Sequence, residues 1–235
     1  VIRAGRLVPG RFAERGKAAP VLPMVPGAAR WHGMKIGLLG GSFNPAHGGH
    51  RSISLEALKR LRLDAVWWLV SPQNPLKSGG DMAPLEARLT TARAVAAHPR
   101  IRVSALEERL GTRTTAATLA RLKRAVPGAY FVWIMGADNL VQLPRWHRWP
   151  AILEMVPLAI MDRNTYSLNG LSGKMPARYR DARMPATALT ALATTPPPVW
   201  AFLRFPRHPA SATAIRAQAR SGGVCGESGP PKEKE

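Results

Sequence analysis

Two histidines three positions apart, His47 and His50, stand in the run Gly40-Gly41-Ser42-Phe43-Asn44-Pro45-Ala46-His47-Gly48-Gly49-His50. Imidazoles at this spacing can present hydrogen-bond donors to one anion, and they titrate near neutral pH. Residues 35–39 before the run read as a buried strand, and an amphipathic helix is expected over 52–63, so the histidines fall at a strand-to-helix junction. A helix start offers unpaired N–H groups and the positive end of the helix dipole, which together seat a phosphate. Gly40 and Gly41 are expected to form a tight turn that lets the backbone approach a ligand. The run is neither the GxGxxG fingerprint nor a P-loop, because no Gly-Lys-Ser/Thr follows. A surface loop with incidental histidines and half of a metal site are the competing readings.

A second group lies far along the chain in Ser211-Ala212-Thr213-Ala214-Ile215-Arg216. Ser211 or Thr213 can cap a helix and donate to phosphate, and the Arg216 guanidinium can fork across phosphate oxygens. An ordinary capped helix with a surface arginine is the alternative. Between the two groups, Asp138 follows an apolar strand expected over 130–135, where a carboxylate can accept from a ribose or cap the next turn. Trp146 and Trp149 read on their own as packing residues.

The elements that must position these groups alternate. Strands are expected over 65–70, 101–103, 155–161 and 199–203. Helices are expected after Pro84-Leu85, bounded by Pro99, and over 115–125, 139–143 and 213–220. Residues 163–196, rich in Gly, Pro, Thr and Ala, give no clear order. Near-continuous apolar strands separated by helices imply a mostly parallel α/β sheet with helices on both faces, a Rossmann-like fold. Ligands of such sheets bind beyond the carboxyl ends of the strands, which brings 40–50, 71–77 and 136–149 to one edge.

Composition bounds the alternatives. The 235 residues carry 34 Lys and Arg against 14 Asp and Glu, a formal charge of +20. The charge is spread along the chain and accompanies no nucleic-acid-reading module, so no specific nucleic-acid partner is expected. No stretch is long and apolar enough for a membrane span. Pro20, Pro23 and Pro26 break the apolar run of the basic opening segment, which does not suit a signal-peptide helix. The single cysteine, Cys225, supports neither an internal disulfide nor a thiolate metal cluster, and a cytoplasmic location is expected. The domain is expected over 34–220, with a flexible extension over 1–33 and a disordered tail over 221–235.

The run from Gly41 to His50 resembles the G-[ST]-F-[DN]-P-x-H-x-G-H motif of the bacterial nicotinate mononucleotide adenylyltransferase family, within the HxGH nucleotidyltransferases. Ser211 to Arg216 is similar to that family's I-S-[SA]-T-x-[IV]-R segment, with Ala210 in place of isoleucine. Gly136-Ala137-Asp138 and Leu143-Pro144-Arg145-Trp146 resemble its G-x-D and L-x-x-W region. Ser71-Pro72-Gln73-Asn74-Pro75-Leu76-Lys77 resembles its P-x-x-x-P-x-K loop, and Thr115-Ala116-Ala117-Thr118-Leu119 its T-x-x-T-L segment.

The resemblance implies transfer of the adenylyl group of ATP to nicotinate mononucleotide, giving deamido-NAD and pyrophosphate with Mg²⁺ accompanying ATP. It implies an ATP site of Gly40, Gly41, Ser42, Phe43, His47, His50, Asp138, Ser211, Thr213 and Arg216. His47, His50 and Arg216 would serve catalysis, and no protein metal ligand is assigned. Asn44, Lys77, Thr115 and Trp146 would form the acceptor side. As plain residues, Lys77 is a surface lysine and Thr115 a helix cap. Thr114 replaces an aromatic residue and His147 a tyrosine of the family pattern. The nearest alternative is the same chemistry on nicotinamide mononucleotide or phosphopantetheine, or a cytidylyl transfer.

Overall fold

In the computed structural model, residues 27–72, 82–162, 170–204 and Ile215 are described. Lys77, Ser211, Thr213 and Arg216, the expected helix over 213–220 and the tail over 221–235 lie outside them, Ile215 excepted. Six strands form one sheet: β1 Lys35–Gly41, β2 Ala65–Val70, β3 Ile101–Ser104, β4 Tyr130–Gly136, β5 Leu158–Asp162 and β6 Trp200–Arg204. Their order is β3-β2-β1-β4-β5-β6, and every pairing is parallel. The order reverses between β1 and β4, where doubly wound sheets open a ligand crevice.

The helices are α1 Gly48–Arg60, α2 Leu85–Ala96, α3 Leu106–Arg109, α4 Thr115–Ala125 and α5 Trp149–Met155. Alternate strand residues feed two cores. Ile36, Leu38, Trp67, Leu69, Phe131, Trp133 and Ile160 pack with Leu119 and Leu122 of α4 and with Ile152 and Leu153 of α5. On the opposite face Leu39, Val66, Trp68, Val132 and Ile134 pack with Ile53 and Leu58 of α1, Leu89 and Ala92 of α2, and Leu189 and Leu192. Both faces are covered, which is why the strands read as continuous apolar runs rather than as alternating ones. Trp31, from a short 3₁₀ turn ahead of β1, is buried edge-on against Trp67 at 5.0 Å between ring centroids.

Several boundaries differ from expectation. β1 runs on through Gly40 and Gly41, so these glycines belong to the strand and make no turn. The positive backbone angle falls instead on Phe43, with φ 46°. α1 begins at Gly48, inside the stretch that reads as loop. The Trp-rich segment holds a helix that takes Met155, and β5 starts only at Leu158. Within 163–196 the chain forms a short helix Lys174–Arg178 and a 3₁₀ segment Ala186–Thr194, the latter contributing Leu189 and Leu192 to the core.

Candidate active site

His47 is the N-cap of α1 in extended backbone, and His50 occupies the third helical position. The Gly49 N–H donates to His47 Nδ1 at 3.1 Å, and the His47 N–H donates to His50 Nδ1 at 3.3 Å. An Nδ1 that accepts carries no proton, so in each neutral ring the proton sits on Nε2. The rings lie 4.0 Å apart between centroids. Two helix-start amides are therefore engaged, Gly49 with the His47 ring and His50 with the His47 carbonyl at 2.9 Å. What this helix start offers an anion is a pair of imidazole N–H donors and the helix dipole, more than a row of bare amides.

His50 is held from behind by an aromatic stack. Phe43, buried, stacks on Trp68 at 5.0 Å with 16° between planes and leans on His50 at 4.8 Å. Trp68 Nε1 donates to Ser54 Oγ at 2.7 Å, and Ser54 Oγ donates to the His50 carbonyl at 2.9 Å. The left-handed backbone at Phe43 turns its ring into this stack, an uncommon conformation for a bulky side chain that the packing over-determines.

Gly40 serves a purpose different from the expected turn. A Cβ there would lie 2.5 Å from the Trp133 ring, so glycine makes room for that indole beneath the loop. Trp133 meets Trp146 edge-on at 6.5 Å, so Trp146, half-buried after the 3₁₀ turn Leu143–Arg145, packs against the indole from the middle of β4. Asp138 follows β4, in the first turn of the 3₁₀ helix Ala137–Leu140. Ser42 is half-buried at the carboxyl edge of the sheet, directly after β1. Thr115 is the first helical residue of α4. The cap is Thr114, whose hydroxyl accepts from the Ala117 N–H at 3.4 Å, so the cap reading of Thr115 moves one residue back.

The structure thus brings together, along one edge, Asp138 and the loop from Ser42 to His50, the residues that follow β4 and β1, while Trp146 packs on Trp133. Two buried charged groups that sequence reasoning passed over lie behind the loops. Arg88, 2% exposed, points its guanidinium at main-chain carbonyls, and burial lowers its pKa. Glu107, 7% exposed, bonds to Ser71, and desolvation raises its carboxyl above the ordinary range while that bond opposes the shift. Arg88 had a signal: it shares the helical face of Leu85, Leu89, Ala92 and Ala96, an apolar stripe on which arginine is out of place. Among the described residues no group of three or more His, Cys, Asp or Glu could hold a metal ion, and no helix is long and apolar enough to cross a membrane.

A parallel sheet reversing beside a histidine-capped helix defines a nucleotide-handling α/β protein. The model of the cytidylyltransferase-like family matches residues 38–218. A probable nicotinate-nucleotide adenylyltransferase of Methylorubrum extorquens is 51% identical over 185 residues, covering 79% of this chain and 100% of the relative. One of Cereibacter sphaeroides is 52% identical over 187 residues, covering 80% of this chain and 99% of the relative. The solved Plasmodium falciparum nicotinic acid mononucleotide adenylyltransferase complexed with NaAD shares the fold, with a TM-score of 0.57 at 15% identity over 77% of this chain and 82% of that one. The chain belongs to the nicotinate-nucleotide adenylyltransferases of the cytidylyltransferase-like family, and it is an enzyme of the nucleotidyltransferase class.

Proposed function

We propose that this enzyme transfers the adenylyl group of ATP to nicotinate mononucleotide, giving deamido-NAD and pyrophosphate. The observation that carries the reading is the His47–His50 pair, with both Nδ1 atoms turned to backbone N–H groups and Nε2–H as the donor of each ring. The identity of about half the residues with probable nicotinate-nucleotide adenylyltransferases over their full or nearly full length supports the choice of acceptor.

In the reaction, a phosphate oxygen of the mononucleotide attacks the α-phosphorus of ATP in line with the α–β bridge. A P–O bond forms, the bridging P–O bond breaks, and its electron pair leaves on pyrophosphate. A phosphate monoester is already anionic near neutral pH, so the attack requires no strong base. The work of the protein is to align two polyanions that repel each other and to stabilise charge on the group in transfer. His47 and His50 would donate from Nε2 to the phosphates, and Arg216 and Lys77, outside the described residues, would add positive charge. Gly40, Gly41, Ser42 and Phe43 would shape the ATP side with Asp138, Ser211 and Thr213. Asn44, Lys77, Thr115 and Trp146 would line the acceptor side. The described donors suit phosphate and form no oxygen cage, so Mg²⁺ would be held chiefly by ATP's own phosphate oxygens, where it supplies charge neutralisation.

The test is pyrophosphate release by the full chain with ATP and a panel of nicotinate mononucleotide, nicotinamide mononucleotide and phosphopantetheine. The highest kcat/KM is expected with nicotinate mononucleotide. A higher value with nicotinamide mononucleotide would overturn the acceptor, and Thr114, lacking the family's aromatic ring, makes that the comparison to run. No release with any acceptor would overturn adenylyl transfer altogether. In-line displacement is checked with ATP chiral at the α-phosphorus: inversion is expected, and retention would require a covalent intermediate.

A further inference from the structure

We propose that Arg88 is a positioning residue for adenylyl transfer, a buried clamp that fixes the loop carrying the paired histidines relative to the loop that follows β2. The proposal rests on the adenylyl-transfer reading for its kinetic consequence, while the clamp itself stands on geometry. Arg88 Nη1 donates to the Ser42 carbonyl at 2.7 Å and to the Ser71 carbonyl at 2.7 Å. Nη2 donates to the Pro72 carbonyl at 3.0 Å, and Nε to the Ala83 carbonyl at 2.8 Å. One guanidinium therefore ties three chain segments: the start of the histidine loop, the exit of β2, and the entry to α2. Pro72 and Ala83 flank residues 73–82 in sequence, so the clamp holds the chain on either side of that stretch.

Neighbouring contacts close the same knot. The Ser71 N–H donates to the Gly41 carbonyl at 2.9 Å, and its side chain bonds to the buried Glu107 carboxyl. Asn44 Oδ1 accepts from the Ala83 N–H at 3.2 Å. Ser71 is thus held at its amide, its carbonyl and its hydroxyl by three different elements. Only a planar fork with five N–H donors in fixed directions serves four carbonyls at once, which a lysine ammonium does not. A guanidinium so placed is costly to bury, and the cost makes sense where the relative position of two loops matters. The histidine loop would meet the ATP phosphates and, through Asn44, the acceptor, which the loop after β2 would meet from its own side. Their spacing sets whether the attacking oxygen lines up with the α-phosphorus, and this step is the one most sensitive to small displacements.

The experiment compares wild type, Arg88→Met and Arg88→Lys for kcat, KM for each substrate, equilibrium ATP binding, melting temperature and amide hydrogen exchange. Arg88→Met is expected to lower kcat about 100-fold with ATP binding changed far less, and to speed exchange at Phe43 and Ser71. Arg88→Lys, which keeps the charge, is expected to fall between. A purely structural arginine would lower the melting temperature while the folded enzyme kept its kcat, and that result would overturn the proposal. So would unchanged exchange in both loops. If Arg88→Met does not fold, Arg88→Lys decides alone: wild-type kcat and exchange would overturn the clamp. A wild type that releases no pyrophosphate would defeat the adenylyl-transfer reading, and the exchange measurements would then still test the clamp.

Discussion

The His50 ring leans on Phe43, lies 4.0 Å from the His47 ring and accepts the His47 N–H at Nδ1, while Ser54 holds its main-chain carbonyl. In the proposed function its Nε2–H would be the donor to phosphate. His50→Ala is expected to reduce turnover by about 10²- to 10³-fold, while the loss of one bond at a helix start costs about 1 kcal/mol or less of stability. Pyrophosphate release near the wild-type rate by the folded variant would defeat its catalytic assignment. Gly40 makes a different kind of claim. A methyl group there meets the Trp133 indole at 2.5 Å, and neither the strand backbone nor a buried ring moves freely. Gly40→Ala is expected to destabilise by about 1–3 kcal/mol, read as a lower melting temperature, with part of the loss recovered by Trp133→Phe. An alanine variant as stable as wild type would show that the ring yields. The glycine pair was legible as special from sequence, but its reason was not, since the need for Gly40 comes from a strand about ninety residues further on.

At the scale of elements, the loops that follow β1, β2 and β3 converge, and Glu107 is the buried acid among them. Burial raises its carboxyl pKa in the fold, with the Ser71 bond pulling the other way. The sign follows: the protonated form is favoured when folded, so its stability is complete below the ordinary value of 4.5 and is lost as pH rises through the raised value. Glu107→Gln keeps an acceptor for Ser71 and cannot ionise. Relative to wild type it is expected to be more stable at neutral pH than at about pH 4, measured as the difference in melting temperature at the two values. A difference that does not change with pH would mean that Glu107 does not titrate in this way. β2 and α4 fall where hydrophobic pattern and turn residues place them, at Ala65–Val70 and Thr115–Ala125. The start of α1 does not, because Gly48 and Gly49 are poor helix formers and only the His47 cap and its tertiary setting make them helical.

Across the whole molecule, the proposed ATP site would draw on loops at the carboxyl edge of one sheet, so a bound nucleotide would hold several elements at once. Ligand that binds only the folded state stabilises by linkage, about 2.7 kcal/mol at a hundred times its Kd. With Mg²⁺ present, saturating ATP is expected to raise the melting temperature by several degrees, and His50→Ala to diminish the rise. No shift with wild type would argue against the nucleotide site. The sequence by itself determined the parallel α/β architecture and the paired histidines at a strand-to-helix junction, because strand periodicity, helix-start chemistry and a contiguous motif are local properties. It named Lys77, Ser211, Thr213 and Arg216 as well, which lie outside the described residues. Tertiary structure alone decided that the Nδ1 atoms face the backbone, that Trp133 fills the space above Gly40, and that Arg88 gathers the carbonyls of Ser42 and Ser71 from 46 and 17 residues away. Such contacts depend on which loops the parallel order brings to one edge, and hydrophobic pattern, which reports burial, is silent about the partner that a buried polar group meets.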